Sequence, residues 1–166
     1  MLLKARAAVL ADAADIAAIY NQGIEDRVGT FETAPREAVQ ITAWFGSGMP
    51  VVVVVDDAGA VVAYAAAFAY SDRCVYGGIA EFSVYVGREA RGRGAGTLVM
   101  AALLEHAESA GYWKLVSRVF PENMASRALL RKLGFREVGI YEKHARLDGA
   151  WRDVVIVERL LPGNLT

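Results

Sequence analysis

Between Ala90 and Val99 the chain reads ARGRGAGTLV, three glycines and two arginines set directly ahead of an apolar segment. Glycine is a poor helix former, so its clustering at a helix start needs another reason. Gly92, Gly94 and Gly96 permit positive φ values and let a ligand approach the main chain closely. A strand feeding such a turn and then a helix suits an anion, because the first helical N–H groups lack partners and lie at the positive end of the dipole. Arg91 and Arg93 add charge of the same sense. Neither standard nucleotide loop fits. In G-x-G-x-x-G register Thr97 stands where the third glycine belongs, and the chain has no Gly-Lys pair for a P-loop.

Just upstream, EFSVYV sets Glu81 on one strand face with Ser83 and Tyr85, while Phe82, Val84 and Val86 point the other way. A carboxylate in a central strand is costly unless it is paired or functional. Glu81 is therefore a candidate general base, with an arginine salt bridge or a water-facing rim position as the structural alternatives. Nucleophilic chemistry has less support. G-x-S-x-G is absent, and Cys74, the sole cysteine, lies in a loop without a nearby histidine. No Cys/His spacing suggests a metal site. Of the two histidines, His106 falls mid-helix as a structural residue, and His144 lies on a late strand within reach of a cleft.

The elements that must position these groups follow from periodicity. Asp12 reads as an N-cap, with Asp15 three residues on, ahead of a helix burying Ile16, Ile19, Tyr20 and Ile24. Pro35 and Glu37 open a second helix toward Phe45. Val51 to Val55 is a buried strand, joined by the turn Asp56–Gly59 to AVVAYAAAFAY. A third strand, IAEFSVYVG, leads to the glycine-rich turn and a helix with Leu98, Val99, Ala102, Leu103 and Ala107 on one face, closed by Gly111. KLVSRVF is a strand. Asn123 begins a helix with Ala128, Leu129 and Leu133 inward and Gly134 at its end. Two final strands flank Asp148-Gly149, a strong hairpin signal. The order αα, βββ, α, β, α, ββ predicts a mixed sheet with helices on both faces, one domain over 1–166, without the strict alternation of a doubly wound fold.

Composition narrows the function classes. A formal net charge of −1 argues against a general nucleic-acid binder. No apolar run approaches the roughly 18 residues of a membrane span, and no signal-peptide layout is visible. A cytoplasmic protein of a reducing compartment is expected.

Arg91, Gly94 and Gly96 form R-x-x-G-x-G. With EFSVYVGREA before it and ENMASRALLRKLGF after it, this resembles the acetyl-coenzyme A signature of the GCN5-related N-acetyltransferases. YNQGIEDRVGTFETAPREA, AEFSVYVGREARGRG, KLVSRVFPENMASRALLRKLGF and LDGAWRDVVIVERLL are similar to the phosphinothricin/arsinothricin N-acetyltransferase branch, over nearly the whole chain. The resemblance implies an α/β (α+β) fold with a mostly antiparallel central sheet splayed at the cofactor site. It implies acetyl-CoA as co-substrate, no metal, and acetylation of the α-amino group of a glutamate-like amino acid carrying a phosphinate or arsinate, as in resistance to such compounds.

Residue by residue, the resemblance has Val84, Tyr85 and Val86 pair through their backbone with the pantetheine arm. The run Arg91, Gly92, Arg93, Gly94, Ala95, Gly96 and Thr97 wraps the pyrophosphate. Asn123 bonds near the thioester end, with Ser126 and Arg127 nearby. Glu81 matches the branch's glutamate, with Ser83 on its face. Thr30, Phe31 and Glu32 form one acceptor segment, and Arg73 with Tyr76 matches a basic–aromatic pair suited to a carboxylate or phosphinate. Two departures stand out. Leu130 occupies the place where many members of the superfamily carry a tyrosine acid, leaving Tyr141, Ser126, water or unassisted protonation of the thiolate. In Trp151-Arg152-Asp153 an arginine replaces the branch's histidine. A homodimer is expected, with Trp151 and the final strands at its interface. Methionine sulfone or sulfoximine, or a protein N-terminus, are alternative acceptors, and a non-catalytic CoA-binding interaction protein is the alternative of another class.

Overall fold

The computed structural model describes residues 2–166. Seven strands form one sheet in the order β1-β2-β3-β4-β5-β7-β6. They are β1 (Lys4–Ala7), β2 (Val51–Val55), β3 (Val61–Ala69), β4 (Ile79–Val86), β5 (Lys114–Val119), β6 (Arg136–Leu147) and β7 (Ala150–Leu160). Every neighbouring pair is antiparallel except β4 with β5. The helices are α1 (Ala13–Asp26), α2 (Ala38–Phe45), α3 (Ala95–Ser109) and α4 (Met124–Lys132).

The valine run of β2 is buried on both faces, which is why it reads as continuous rather than alternating. Val52 and Val54 join Ala63, Ala65 and Ala67 of β3 against Val99, Met100 and Leu103 of α3. Val51 and Val53 join Tyr64 and Ala66 against Ile16, Tyr20 and Ile24 of α1 and Ile41 of α2. The alanines of β3 leave room for α3 to lie close to the sheet.

Local chemistry explains most boundaries. Asp56 Oδ1 accepts from the N–H groups of Ala58 and Ala60, each at 3.0 Å, and Gly59 takes φ +80° to close the β2–β3 hairpin. Asp148 (φ +51°) and Gly149 (φ +79°) supply the paired positive φ values of a tight β6–β7 turn. The Glu37 N–H donates to Gln40 Oε1 at 2.8 Å where α2 begins.

Four details of the sequence reading are corrected. Strand β1 was not anticipated, because two of its four residues are charged; it is an edge strand, antiparallel to β2. Asp12 precedes α1 but does not cap it. Its carboxylate accepts from Arg6 Nη1 (2.7 Å), Arg6 Nη2 (3.0 Å) and the Val9 N–H (2.8 Å), a stronger set than one helical N–H. In α4, Ala128 is exposed and Leu130 is buried in the place assigned to it. In α3, Leu98 is exposed and Met100 is buried.

Candidate active site

The parallel pairing of β4 with β5 covers Ile79–Lys114, Ala80–Leu115 and Glu81–Val116 and then stops. Beyond it β4 continues beside β3 through the Val86–Ala63 pair, and β5 continues beside β7 through the Val119–Val155 pair. The two strands diverge, so the sheet opens between them.

Backbone directions on β4 can be read from its hydrogen bonds. The Phe82 carbonyl accepts from Ser117 Oγ at 2.8 Å and the Val86 carbonyl from Arg91 Nε at 3.3 Å, both on the β5 side. The Gly87 N–H points the other way, to the Val62 carbonyl at 2.8 Å. Alternation therefore aims the N–H and C=O of Val84 into the opening, beyond the end of the β4–β5 ladder.

A cavity of about 530 Å³ occupies the opening. Glu81, Ser83 and Tyr85 of β4 form one wall. Val28, Gly29, Thr30, Glu32 and Arg36 from the α1–α2 connection form another, joined by Tyr20, Trp44 and Phe68. Ser117 to Phe120, Asn123, Ser126 and Leu130 complete it. Glu81 and Ser83 share the cavity as their spacing predicts. Glu81 Oε1 lies 3.6 Å from Arg118 Nη2, and its side chain keeps 34% exposure, so the carboxylate is neither buried alone nor locked in a close pair.

The connection carrying Thr30 and Glu32 is tied down at successive residues. Arg27 donates to Asp148 Oδ2 (2.9 Å), Asn123 Nδ2 to the Val28 carbonyl (3.1 Å), and the Tyr85 hydroxyl to the Gly29 carbonyl (3.2 Å). Phe31 is not among the lining residues and packs edge-on behind one of them, Phe120, at 5.0 Å. Burial is the main cause pushing the Tyr85 phenol well up, as it does for the fully buried Tyr64, so both stay protonated across the working range of an enzyme. The cation of Arg36 opposes that push on both.

Next to the opening lies the glycine-rich turn. Gly92 (φ +76°) and Gly94 (φ +86°) adopt the left-handed conformation. Gly94 is the N-cap of α3 and brings no capping side chain. The first ladder bond of α3 is Leu98 N–H to the Gly94 carbonyl at 3.1 Å. The N–H groups of Ala95, Gly96 and Thr97 are thus the orphan donors of a helix start. Gly96 has a different reason to be glycine: a Cβ there would stand 3.0 Å from Leu129 Cδ2, in the contact between α3 and α4. Arg91 is anchored by Asp26 at 2.9 Å, and Asp26 also takes Arg88 at 2.8 Å, so its carboxyl sits below the usual range, chiefly through Arg88. A shallower hollow beside the turn is lined by Leu2, Leu3, Arg93, Gly94, Thr97, Leu98 and Lys132.

Asn123 caps α4, its Oδ1 accepting the Ser126 N–H at 3.2 Å. Arg127 points elsewhere: its guanidinium spans Glu137 at 2.7 and 3.0 Å and donates to the Pro121 carbonyl at 2.8 Å, tying α4 to β6. Glu137 is held below the usual carboxylate range by Arg127 first and Arg131 second.

Arg73 and Tyr76 do not line the cavity. They stack on each other, guanidinium 5.7 Å from the ring, in an exposed turn ahead of β4. Tyr141 and His144 likewise pair with each other at 4.9 Å on β6, away from the cavity walls. Arg152 lies 4.3 Å over Phe120 and pairs with Glu122, and Asp153 accepts the Lys143 N–H at 2.7 Å.

The sequence reading missed Arg36, Trp44, Phe68 and Arg118 as cavity residues. Arg118 carried a signal, a charge within the apolar strand KLVSRVF. Arg36 looked like part of a helix start.

The family described as Acetyltransferase (GNAT) family matches residues 16–135. The L-methionine sulfoximine/L-methionine sulfone acetyltransferase of Pseudomonas aeruginosa is 32% identical over 157 residues, 92% of this chain and 91% of that protein. The phosphinothricin N-acetyltransferase of Streptomyces coelicolor is 29% identical over 165 residues, 96% of each. The crystal structure of a GNAT superfamily phosphinothricin acetyltransferase from Sinorhizobium meliloti in complex with AcCoA superposes with a TM-score of 0.91 at 32% identity, covering 100% of this chain and 92% of that one.

Proposed function

This chain belongs to the acetyltransferase (GNAT) family and is an N-acetyltransferase, and we propose that its acceptor is the α-amino group of a small glutamate-like amino acid of the phosphinothricin or arsinothricin type, with acetyl-CoA as donor. One observation carries the proposal: the cavity that holds Glu81 opens at the β4–β5 divergence.

The residues present fit acetyl-CoA. The inward N–H and C=O of Val84 suit an amide-bearing arm, and the orphan N–H groups of Ala95, Gly96 and Thr97 suit a pyrophosphate. Arg91 and Arg93 flank that turn. Tyr85 and Val86 extend the same strand, although the Tyr85 side chain is spent on packing and on Gly29. Asn123 and Ser126 border the cavity and Arg127 braces the helix that carries them. Bound acetyl-CoA supplies an activated acyl carbonyl.

The protein's own work is on the amine. An α-ammonium group is not a nucleophile until it loses a proton, and Glu81 is the carboxylate placed to take it, directly or through a water. Thr30, Glu32 and Ser83 orient the acceptor. Leu130 is buried and has no acidic hydrogen, so the tyrosine acid of the wider superfamily has no counterpart at that position, and Ser126 borders the cavity. Membership of the acetyltransferase family and the named activities of the relatives support the enzymatic reading over the non-catalytic one. Methionine sulfoximine and sulfone form the second reading, favoured by the Pseudomonas relative. We also read the protein as cytoplasmic and as a homodimer, the exposed Ile140, Tyr141 and Trp151 of β6 and β7 supplying the contact. Among the described residues no helix is long and apolar enough to cross a membrane.

The test is thiol release from acetyl-CoA across a panel of free amino acids, phosphinothricin, arsinothricin, methionine sulfone, methionine sulfoximine and short peptides. Turnover concentrated on glutamate-like amino acids is expected. Turnover on peptides alone would overturn the acceptor class.

A further inference from the structure

The cavity contains two cations, and chemistry assigns them different duties. Arg118 lies 3.6 Å from Glu81. In an α-amino acid the carboxylate and the amine share one carbon, so a cation beside the base is the one that meets the α-carboxylate. Arg36 forms no ion pair with Glu81; its nearest carboxylate oxygen is Glu32 Oε1 at 3.5 Å.

Arg36 is also held as a preformed receptor. Its N–H donates to Asn21 Oδ1 at 2.8 Å and its carbonyl accepts from Asn21 Nδ2 at 2.9 Å, so α1 clamps its backbone. The guanidinium carbon then lies 4.9 Å from the centroid of the Tyr20 ring, a cation–π contact that holds the head group at the cavity wall. Its side chain is 30% exposed and lines the cavity. A planar guanidinium so held, with one carboxylate at the edge of contact, is a site for a second anion.

Resting on the reading of the acceptor as a small amino acid, we propose that Arg36 is the specificity-determining residue that selects an anionic tail on the acceptor, Arg118 being left for the α-carboxylate. Phosphinothricin and methionine sulfone make this separable. Both end in a methyl group on a tetrahedral centre bearing two oxygens, and they differ in that the phosphinate is charged and the sulfone is neutral. Arg36 reads that charge.

The experiment compares kcat/KM for phosphinothricin with kcat/KM for methionine sulfone in wild type, Arg36→Gln, Arg36→Lys and Arg73→Ala. A charge-assisted hydrogen bond is worth about tenfold to a hundredfold in affinity. Arg36→Gln should lower the phosphinothricin/sulfone ratio by about that factor, through KM rather than kcat, with the acetyl-CoA KM unchanged. Arg36→Lys should restore part of the ratio, since it keeps charge but not the fork. An equal fall for both acceptors, or no change in the ratio, would overturn the assignment. So would a collapse of the ratio in Arg73→Ala but not in Arg36→Gln, which would give the tail to the exposed pair. If wild type acetylates no amino acid at all, the acceptor class itself fails, a result distinct from an unchanged ratio.

Discussion

Gly94→Ala separates the two reasons a turn can need glycine. Gly94 has φ +86°, and a Cβ built on it meets nothing within 4 Å. The protein itself therefore has room for the methyl group, and the cost to the protein alone is conformational. Holding an alanine in the left-handed region costs about 1–2 kcal/mol. At this chain length that lowers Tm by roughly 2–4 °C per kcal/mol. Binding should suffer more. The orphan N–H groups of Ala95, Gly96 and Thr97 leave the turn from Gly94, and relaxation of the strained residue would misdirect them. Loss of one charge-assisted bond to a phosphate is about 1.5–3 kcal/mol, or about tenfold to a hundredfold in Kd. Calorimetric titration with acetyl-CoA, beside a melting curve of the protein alone, measures both effects. Asparagine tolerates the left-handed region, so Gly94→Asn should recover much of the Tm and, with the turn no longer relaxing, much of the affinity. A variant that melts lower yet binds acetyl-CoA with unchanged Kd would refute the assignment of this turn to the pyrophosphate.

Glu81→Gln should lower kcat by about a hundredfold or more while acetyl-CoA still binds; wild-type turnover across pH would remove Glu81 as the base. Asn123→Ala should cost about 1 kcal/mol, the worth of an N-cap, seen as a lower Tm, and it should also raise the acceptor KM because the Val28 carbonyl loses its donor. Asp12→Asn should destabilise by about 2 kcal/mol at neutral pH, because a carboxylate only 8% exposed loses a bidentate arginine. Arg6 is the main cause holding Asp12 below the ordinary aspartate value. That stability is therefore complete above the unfolded pKa of about 4 and is lost as pH falls through the lower folded value. Denaturant titrations of wild type and variant should show a constant gap from pH 7 to about 5, closing only in stronger acid.

What the sequence made legible was local. Glycines before an apolar run, a carboxylate on an alternating strand and Asn123 ahead of a helix each carry their reason within a few residues, and the structure places all three around one opening in the sheet. Within the glycine turn the reasons divide: positive φ explains Gly92 and Gly94, whereas contact with Leu129 explains Gly96. Features set by distant partners were hidden. Asp12 resembles a cap until Arg6 arrives on an unanticipated edge strand. Arg127 looks like a ligand residue until Glu137 of β6 is brought beside it. Arg36 becomes meaningful only when α1 supplies Asn21 and Tyr20. Arg73 and Tyr76, adjacent in sequence to the Glu81 strand, fold onto each other outside the cavity because the turn between β3 and β4 is exposed.

The most direct measurement follows the acetyl group to its new bond. Phosphinothricin labelled with nitrogen-15 at its α-amine is incubated with acetyl-CoA labelled with carbon-13 at the carbonyl, and the product is read by NMR. A one-bond carbon–nitrogen coupling, growing in step with released thiol and suppressed in Glu81→Gln, is the predicted result. Released thiol accompanied only by free labelled acetate, or no transfer to the amine despite bound acetyl-CoA, would contradict the account.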